Sequence, residues 1–445
     1  MSHGSVDATS ERPTARLPLR ELIRLSIYWL GLSSIFAGLN TILVGRLEFD
    51  ALVEPGTEGR TLFLLTIAGA VIAMIVQPTI GSISDYTISR WGRRKPYILI
   101  GSLLDLVFLL GIALSQDLLA IAAFVALLQF SANFAQGPFQ GYVPDLIPGP
   151  QVGLASALVG VMQILGNVAG FVIGGLAVAT HQFALGLIAL GVLEVVTMFS
   201  VVIRVREGKA PKSRGGRSWW SIAAEAWGTD VLRERSFLFL VGSRLAVLMA
   251  GGVLTNLALF YLARSLSMTE RESGTSFTIM VGLVAVGTVV TVVPAARLSD
   301  RIGRKKVIYL SCVIGAVGIS LVALAPSFGL ALLGAVTYGL SAGIFLAVDW
   351  ALMTDIIPKA SSGRYMGLSN VATASSGVLA IAIGGTLMDI IGPNKGPDGP
   401  RAALWLAVAL FAVGAALLRP VDERRREDLP VTAGLEPAVS PSAGA

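Results

Sequence analysis

The sequence has little charge, one cysteine and two histidines, and each shortage excludes something. Asp, Glu, Lys and Arg make up 14% of the 445 residues, where a soluble domain carries about 25%. The single cysteine, Cys312, rules out an intrachain disulfide and a multi-cysteine metal cluster. His3 and His181 both fall outside the apolar runs, which argues against a transition-metal site. No Gly-x4-Gly-Lys-Ser/Thr loop occurs, so this chain alone is not an ATP-driven pump. The sequence shows no recognisable paired carboxylates, Ser/His sets or Cys/His sets near membrane depth, so the expectation is a non-enzyme without cofactor or metal. The first twenty residues are polar and contain no short apolar run with a cleavage site. The first spanning helix is therefore expected to drive translocation and to stay in the mature protein.

What is abundant is apolar sequence. AVILMFWYC residues make up 54% of the chain, and the mean hydropathy is +0.74. A helix needs about 20 mostly apolar residues to cross the hydrocarbon core. The sequence predicts twelve such spans, near 22–45, 61–82, 97–115, 118–143, 153–179, 183–203, 237–262, 275–296, 306–325, 329–353, 365–390 and 402–419. The expected class is an all-α membrane protein of twelve transmembrane helices in two pseudo-symmetric six-helix bundles, 20–203 and 237–419, joined by a basic linker, 204–236. Residues 1–19 and 420–445 are polar and Pro-rich, and are expected to be disordered tails.

Basic residues set the orientation. With the N-terminus in the cytoplasm, 27 Lys and Arg fall on cytoplasmic segments and six outside (Arg46, Arg60, Arg264, Arg271, Lys395 and Arg401), with Arg244 inside a span. Both termini are therefore expected in the cytoplasm. The net charge of +6 sits in short loops between spans, so the expected partner is the lipid bilayer and not nucleic acid. The excess of Arg over Lys and the Ala/Gly richness fit a high-GC bacterium, hence a cell (inner) membrane location.

The chain repeats itself. Ser84-Asp85 with Gly92-Arg93-Arg94-Lys95 closes span two, and Ser299-Asp300 with Gly303-Arg304-Lys305-Lys306 closes span eight. Pro144-Asp145-Leu146-Ile147-Pro148 follows span four and Thr354-Asp355-Ile356-Ile357-Pro358 follows span ten, each with a glycine (Gly153, Gly363) at the same offset. An Asp at a helix end can accept charge-assisted hydrogen bonds from Arg in the adjacent loop or the opposing half. Asp85, Arg93, Arg94, Asp145, Asp300, Arg301, Arg304 and Asp355 are thus candidate gating residues, against the plainer reading of topology-setting charge.

These loops resemble those of the major facilitator superfamily, whose signature is similar to Asp300-Arg301-Ile302-Gly303-Arg304-Lys305. The longer first-half copy, together with Asn133-Phe134-Ala135-Gln136-Gly137-Pro138, Asp145-Leu146 and Gly166-Asn167-Val168-Ala169-Gly170, resembles the sucrose-transporter and glycoside–pentoside–hexuronide branch. The resemblance implies the twelve-helix fold, alternating access between two rocking halves, and by default a monomer. Two departures stand out. Where plant sucrose transporters carry an intramembrane Asp, this chain has Gln129, and where melibiose-type carriers have acids in the second span, 61–82 has none. Any coupling to protons must use another group.

Ionisable residues inside spans are costly and usually functional. Asp349 lies six residues before Asp355, about 9 Å into its helix at 1.5 Å per residue, on span ten. With Arg244 on span seven as counter-charge it is a candidate coupling or substrate pair, the rivals being a structural salt bridge for Asp349 and snorkelling for Arg244. Asp105 and Glu194 read as inter-helix hydrogen-bonding groups. Asn40, Gln129, Asn133, Gln136 and Asn256 offer the amides by which sugars are recognised, with Tyr28, Trp29 or Trp350 as an aromatic platform. Helix–helix hydrogen bonding is the competing reading. Gly166, Gly170 and Gly174 form a stripe for close packing. The expected function is secondary transport of a small organic solute, best a disaccharide or glycoside with proton coupling. An efflux carrier for amphipathic compounds, and a non-transporting sensor or assembly factor, stay open.

Overall fold

The computed structural model describes residues 16–50, 52–87, 89–148, 151–205, 207, 235–356 and 362–421. Twelve long helices account for nearly all of them: α1 Leu19–Phe49, α2 Glu58–Ser84, α3 Lys95–Leu114, α4 Leu118–Gln140, α5 Val152–Ala179, α6 Phe183–Arg204, α7 Arg235–Ser265, α8 Glu270–Ile302, α9 Arg304–Leu324, α10 Phe328–Ile356, α11 Ser362–Ile391 and α12 Asp398–Leu418. Eleven are long and apolar enough to cross a membrane, and the apolar part of α11 runs Ser375–Ile391. Large apolar side chains stay bare on the outside, Ile75 63%, Val290 62% and Ile203 71% exposed. In water so wide an apolar surface would drive aggregation; lipid is its natural solvent. Because the number of spans is even, α1 begins and α12 ends at the same end of the molecule, called here the terminal end; the other is the far end.

Local chemistry sets the corners. The Asp117 carboxylate accepts from Ala120 N at 3.0 Å and starts α4. Thr269 and Glu272 form a capping box that starts α8. Gly303, at φ +98°, lets α8 end and α9 begin within one residue. Arg46 from α1 donates to Ile112 O (3.1 Å) and Ser115 O (2.9 Å), carbonyls at the C-terminal end of α3, where the helix dipole favours a cation.

Packing repeats with an offset of six helices. In the first half α1 packs on α5 and α6, α4 on α2 and α3, and α6 on α3 and α5; in the second α7 packs on α11 and α12, α10 on α8 and α9, and α12 on α9 and α11. The Gly166, Gly170 and Gly174 stripe runs along α1: a Cβ at Gly166 would meet Leu30 O at 2.4 Å, and one at Gly170 would meet Ser34 O at 2.3 Å. Only glycine lets the two backbones come this close. The halves touch through α5 on α8, α2 on α11 and α1 on α7.

Two boundaries differ from expectation in ways that matter. Helix α2 starts at Glu58, three residues before the predicted span, and so carries a fully buried acid at its far end. Helix α4 stops at Gln140 behind Pro138, and Asp145 rides on a separate short helix, Tyr142–Leu146.

Candidate functional site

At the terminal end the first-half charges form a compact cluster. Arg94 Nη2 lies 2.6 Å from Asp85 Oδ1 and 2.8 Å from Asp145 Oδ2, and Arg93 also pairs with Asp145. Arg94 Nη1 donates to Pro138 O at 2.6 Å. Both guanidiniums are buried, so α2, α3 and the α4 break are tied within one half. Glu207, at the start of the linker, completes the cluster: it accepts from Arg94 N and Lys95 N, both at 3.0 Å, and from the Tyr142 hydroxyl at 2.6 Å. A carboxylate on the first amides of α3 is favoured by the helix dipole. Two glycines make room, since a Cβ at Gly92 would meet Glu207 Oε2 at 2.6 Å and one at Gly141 would meet Arg94 Nη1 at 1.2 Å. In the second half Arg304 Nη1 sits 3.6 Å from Asp300 Oδ1, in a pair whose Asp is 67% exposed, and Arg301 is exposed. The side chains of Asp355 and Trp350, and all of Lys359, lie outside the described residues.

Arg244 on α7 and Asp349 on α10 are brought together as a buried salt bridge, with side chains 8% and 4% exposed. Arg244 Nε also donates to Thr373 Oγ1 on α11 at 3.1 Å. Three helices of one half thus converge on this pair.

The amides separate into two sets. Asn40 Nδ2 donates to Asn256 Oδ1 at 2.9 Å, joining α1 to α7 across the halves. Asn256 lies twelve residues beyond Arg244 on α7, about 18 Å along the axis at 1.5 Å per residue. Asn133 Nδ2 donates instead to Gln129 O of its own helix at 2.8 Å, and Gln129 lies against Gly69 of α2. Gln136 is half-buried beside them. Among the described residues no hydrogen bond joins the α4 amides to either the Asn40–Asn256 pair or Asp349. Tyr28 is a correction: it is fully buried, bonded to Ser102 Oγ (2.6 Å) and Glu194 Oε1 (2.9 Å) inside the first half, and cannot serve as an aromatic platform. Trp29 leans on Phe139, ring centroids 5.7 Å apart.

Beyond Asn40–Asn256, the far end is sealed by groups the sequence reading did not single out. Arg264 at the end of α7 donates through Nε (3.0 Å) and Nη2 (2.6 Å) to Glu48 Oε2 of α1, and Nη2 lies 3.1 Å from Glu58 Oε2 of α2. Lys395, between α11 and α12, reaches both acids at 3.7 Å. Arg264, Glu48 and Glu58 are buried, with side chains 1%, 6% and 0% exposed. Two acids of one half and two cations of the other leave no net charge, which is what tolerable burial requires. Asp389 of α11 accepts from Gly59 N (3.1 Å) and Arg60 N (2.8 Å) at the start of α2. Glycine contacts close the rest: Gly59 meets Gly385, and Gly274 meets Gly175. Outermost, His181 Nδ1 lies 2.6 Å from Glu270 Oε1 across the halves. That hydrogen bond, helped by the nearby charges of Glu270 and Asp50, raises the His181 pKa above its ordinary 6.5.

Two bundles related by an offset of six helices and meeting at one end are the architecture of a large transporter superfamily, and the comparisons agree. The sequence matches the Major Facilitator Superfamily over residues 28–273 and 239–442. The chain belongs to it. It is similar to the human proton-associated sugar transporter A, 32% identical over 168 residues (34% of this chain and 22% of that one). It is also similar to the sucrose transport protein SUT1 of Oryza sativa subsp. japonica, 31% identical over 172 residues (29% and 32%). The matched stretches span between about a fifth and a third of these relatives' own length. In fold it is similar to a bacterial homolog of the human lysosomal transporter Spinster in an inward-facing and occupied conformation, TM-score 0.72 at 14% identity, covering 92% of this chain and 97% of that one. The nucleoside transporter NupG gives a TM-score of 0.66 at 15% identity, covering 89% and 98%. As a superfamily member with this many apolar helices, the protein is a multi-pass membrane protein.

Proposed function

We propose that this superfamily member is a secondary transporter that moves a small organic solute by alternating access, best a disaccharide or glycoside coupled to protons. The observation that carries the reading is the polarity of the interface: the described cross-half hydrogen bonds and ion pairs gather at Asn40–Asn256 and beyond, toward the far end. A carrier caught with one gate shut has this form. With both termini in the cytoplasm, the orientation that the basic residues support, the shut gate faces outside and the solute path opens inward. Arg244 and Asp349 then occupy the wall of that path, where an ion pair that can exchange partners suits binding and coupling. The sugar assignment leans on the similarity to sugar-transporting relatives and on the amides of α1, α4 and α7.

The test is uptake of radiolabelled sucrose and maltose into proteoliposomes, with and without an inward proton gradient, for wild type and Asp349→Asn. Gradient-driven accumulation lost in the variant supports sugar–proton symport through Asp349. No uptake of either sugar under any gradient refutes the sugar assignment and moves weight to export of amphipathic compounds.

A further inference from the structure

A second group of ionisable side chains lies in the first half, apart from the Arg244–Asp349 pair. Asp105 of α3 and Glu194 of α6 are both fully buried, as are Tyr28 of α1, Ser102 of α3 and Ser131 of α4 around them. Tyr28 donates to Glu194 Oε1 at 2.9 Å and is bonded to Ser102 Oγ at 2.6 Å. Ser131 donates to Asp105 Oδ1. Ser102 and Asp105 lie one turn apart on α3, so Asp105 and Glu194 border one cluster of hydroxyls. Among the described residues, the groups acting on them are each other, Tyr28, Ser102 and Ser131, and none is Lys, Arg or His. Gly31 of α1 packs against Glu194 and Thr197 of α6, and the Thr197 hydroxyl is spent on Leu193 O and Glu194 O of its own helix.

A count of hydrogens shows what is missing. Three hydroxyls supply three protons, and they serve one oxygen of each carboxyl group. Asp105 Oδ2 and Glu194 Oε2 are left buried without a partner. Two ionised carboxylates facing each other without a cation, in a site closed to water, would carry the full desolvation cost and their mutual repulsion as well. One added proton removes one charge and gives an orphaned oxygen a hydrogen to donate.

We infer that Asp105 and Glu194 hold one proton between them and form a proton-binding site in the first half, separate from the solute path. Its use in coupling, alongside Asp349, rests on the transporter reading above. The geometry links it to the cycle: Tyr28 and Asn40 lie on the same helix α1, so the helix that contributes to the far-end seal also contacts the proton site. The chemistry is one reversible transfer, with the carboxylate pair gaining a proton when the cycle admits water to it from one side and returning the proton when water reaches it from the other.

The decisive measurement needs no solute. Infrared spectra of the purified full-length protein in lipid nanodiscs are recorded in neutral H2O and D2O buffers for wild type, Asp105→Asn and Glu194→Gln. Both amides keep a donor and an acceptor in place, so the packing survives while the shared proton is lost. The expected result is a protonated-carboxyl C=O band in wild type, shifted by D2O and lost in each variant. Absence of the band from wild type, or its persistence in either folded variant, overturns the site. Should one variant fail to fold, the other and the wild-type spectrum still decide. If sucrose or maltose is taken up, the variants should lose gradient-driven accumulation yet retain counterflow. Full accumulation in both would overturn the coupling role even with the band present.

Discussion

Replacing Arg264 with Met tests the far-end seal most directly. Arg264 is the buried cation on which Glu48 and Glu58 both depend, at 2.6 and 3.1 Å. Removing one partner of a buried ion pair costs about 3–5 kcal/mol, chiefly because the remaining charge is stranded. Lys395 stays 3.7 Å from each acid but is 31% exposed, so it offsets only part of the loss and the lower end, about 3 kcal/mol, applies. The cost falls on the form with the far end shut, because opening lets water reach both carboxylates. At 1.4 kcal/mol per decade, about 3 kcal/mol shifts the population toward the open form by more than about 100-fold. A reporter follows it: Thr278→Cys, facing Gly175 across the halves, in a background where the buried Cys312 is Ser. Labelling by a membrane-impermeant maleimide in nanodiscs should accelerate strongly in Arg264→Met. It should slow again when Glu48→Gln and Glu58→Gln are added, because no buried carboxylate is left stranded and the one remaining charge, Lys395, is 31% exposed. Unchanged labelling in Arg264→Met would refute the claim that this network holds the far end shut.

Other outcomes follow from single contacts. His181 titrates at the outermost cross-half contact with its pKa raised by the Glu270 bond. The protonated form therefore strengthens the seal below the ordinary value of 6.5, and the contribution disappears as pH rises through the raised value. Thr278→Cys labelling should accelerate from mildly acidic to mildly alkaline buffer, and His181→Gln should flatten that dependence. Glu207→Gln removes the charge from three hydrogen bonds at the start of α3, and should lower stability by about 1–3 kcal/mol, the scale of a charge-assisted bond, in thermal unfolding of the purified protein. Asp85→Asn takes one acid from Arg94 while Asp145 remains. If the terminal-end clusters also lock the halves during the cycle, cysteines at that end become more accessible in this variant; no change would sink that gating role.

The spans were legible because lipid imposes one rule on every residue of a run, so composition alone locates α1 to α12. The terminal-end loops were legible because each half writes its Asp and Arg within a few residues of one another. Arg244 and Asp349 stood out because a charge inside a span is rare enough to look for its counter-charge. Glu207 escaped because it lies in the linker and acts on backbone amides, which leave no mark in sequence. The local bonding of the α4 amides was not legible, because an Asn in a helix can donate to the carbonyl four residues back, as Asn133 does to Gln129, and sequence does not say when it does.

The far-end seal hid for a different reason, since its partners are contributed singly by elements more than two hundred residues apart. Yet the repeat does encode it. Glu48 is next to last in α1 and Arg264 next to last in α7, and Asn40 and Asn256 each lie eight residues before them. The duplicated halves thus place the same amide and opposite charges at equivalent positions. A pseudo-two-fold axis between the halves brings equivalent positions face to face, so Asn40 meets Asn256 and Glu48 meets Arg264. Like charges there would have repelled, whereas opposite charges at mirrored sites turn the symmetry of the duplication into a closure. Swapping the two, Glu48→Arg with Arg264→Glu, sets the new Arg beside Lys395 and the new Glu beside Glu58. The exchanged pair should therefore close less well than the native one, and Thr278→Cys labelling as slow as in the native arrangement would show that only the pairing, and not its flanking charges, matters.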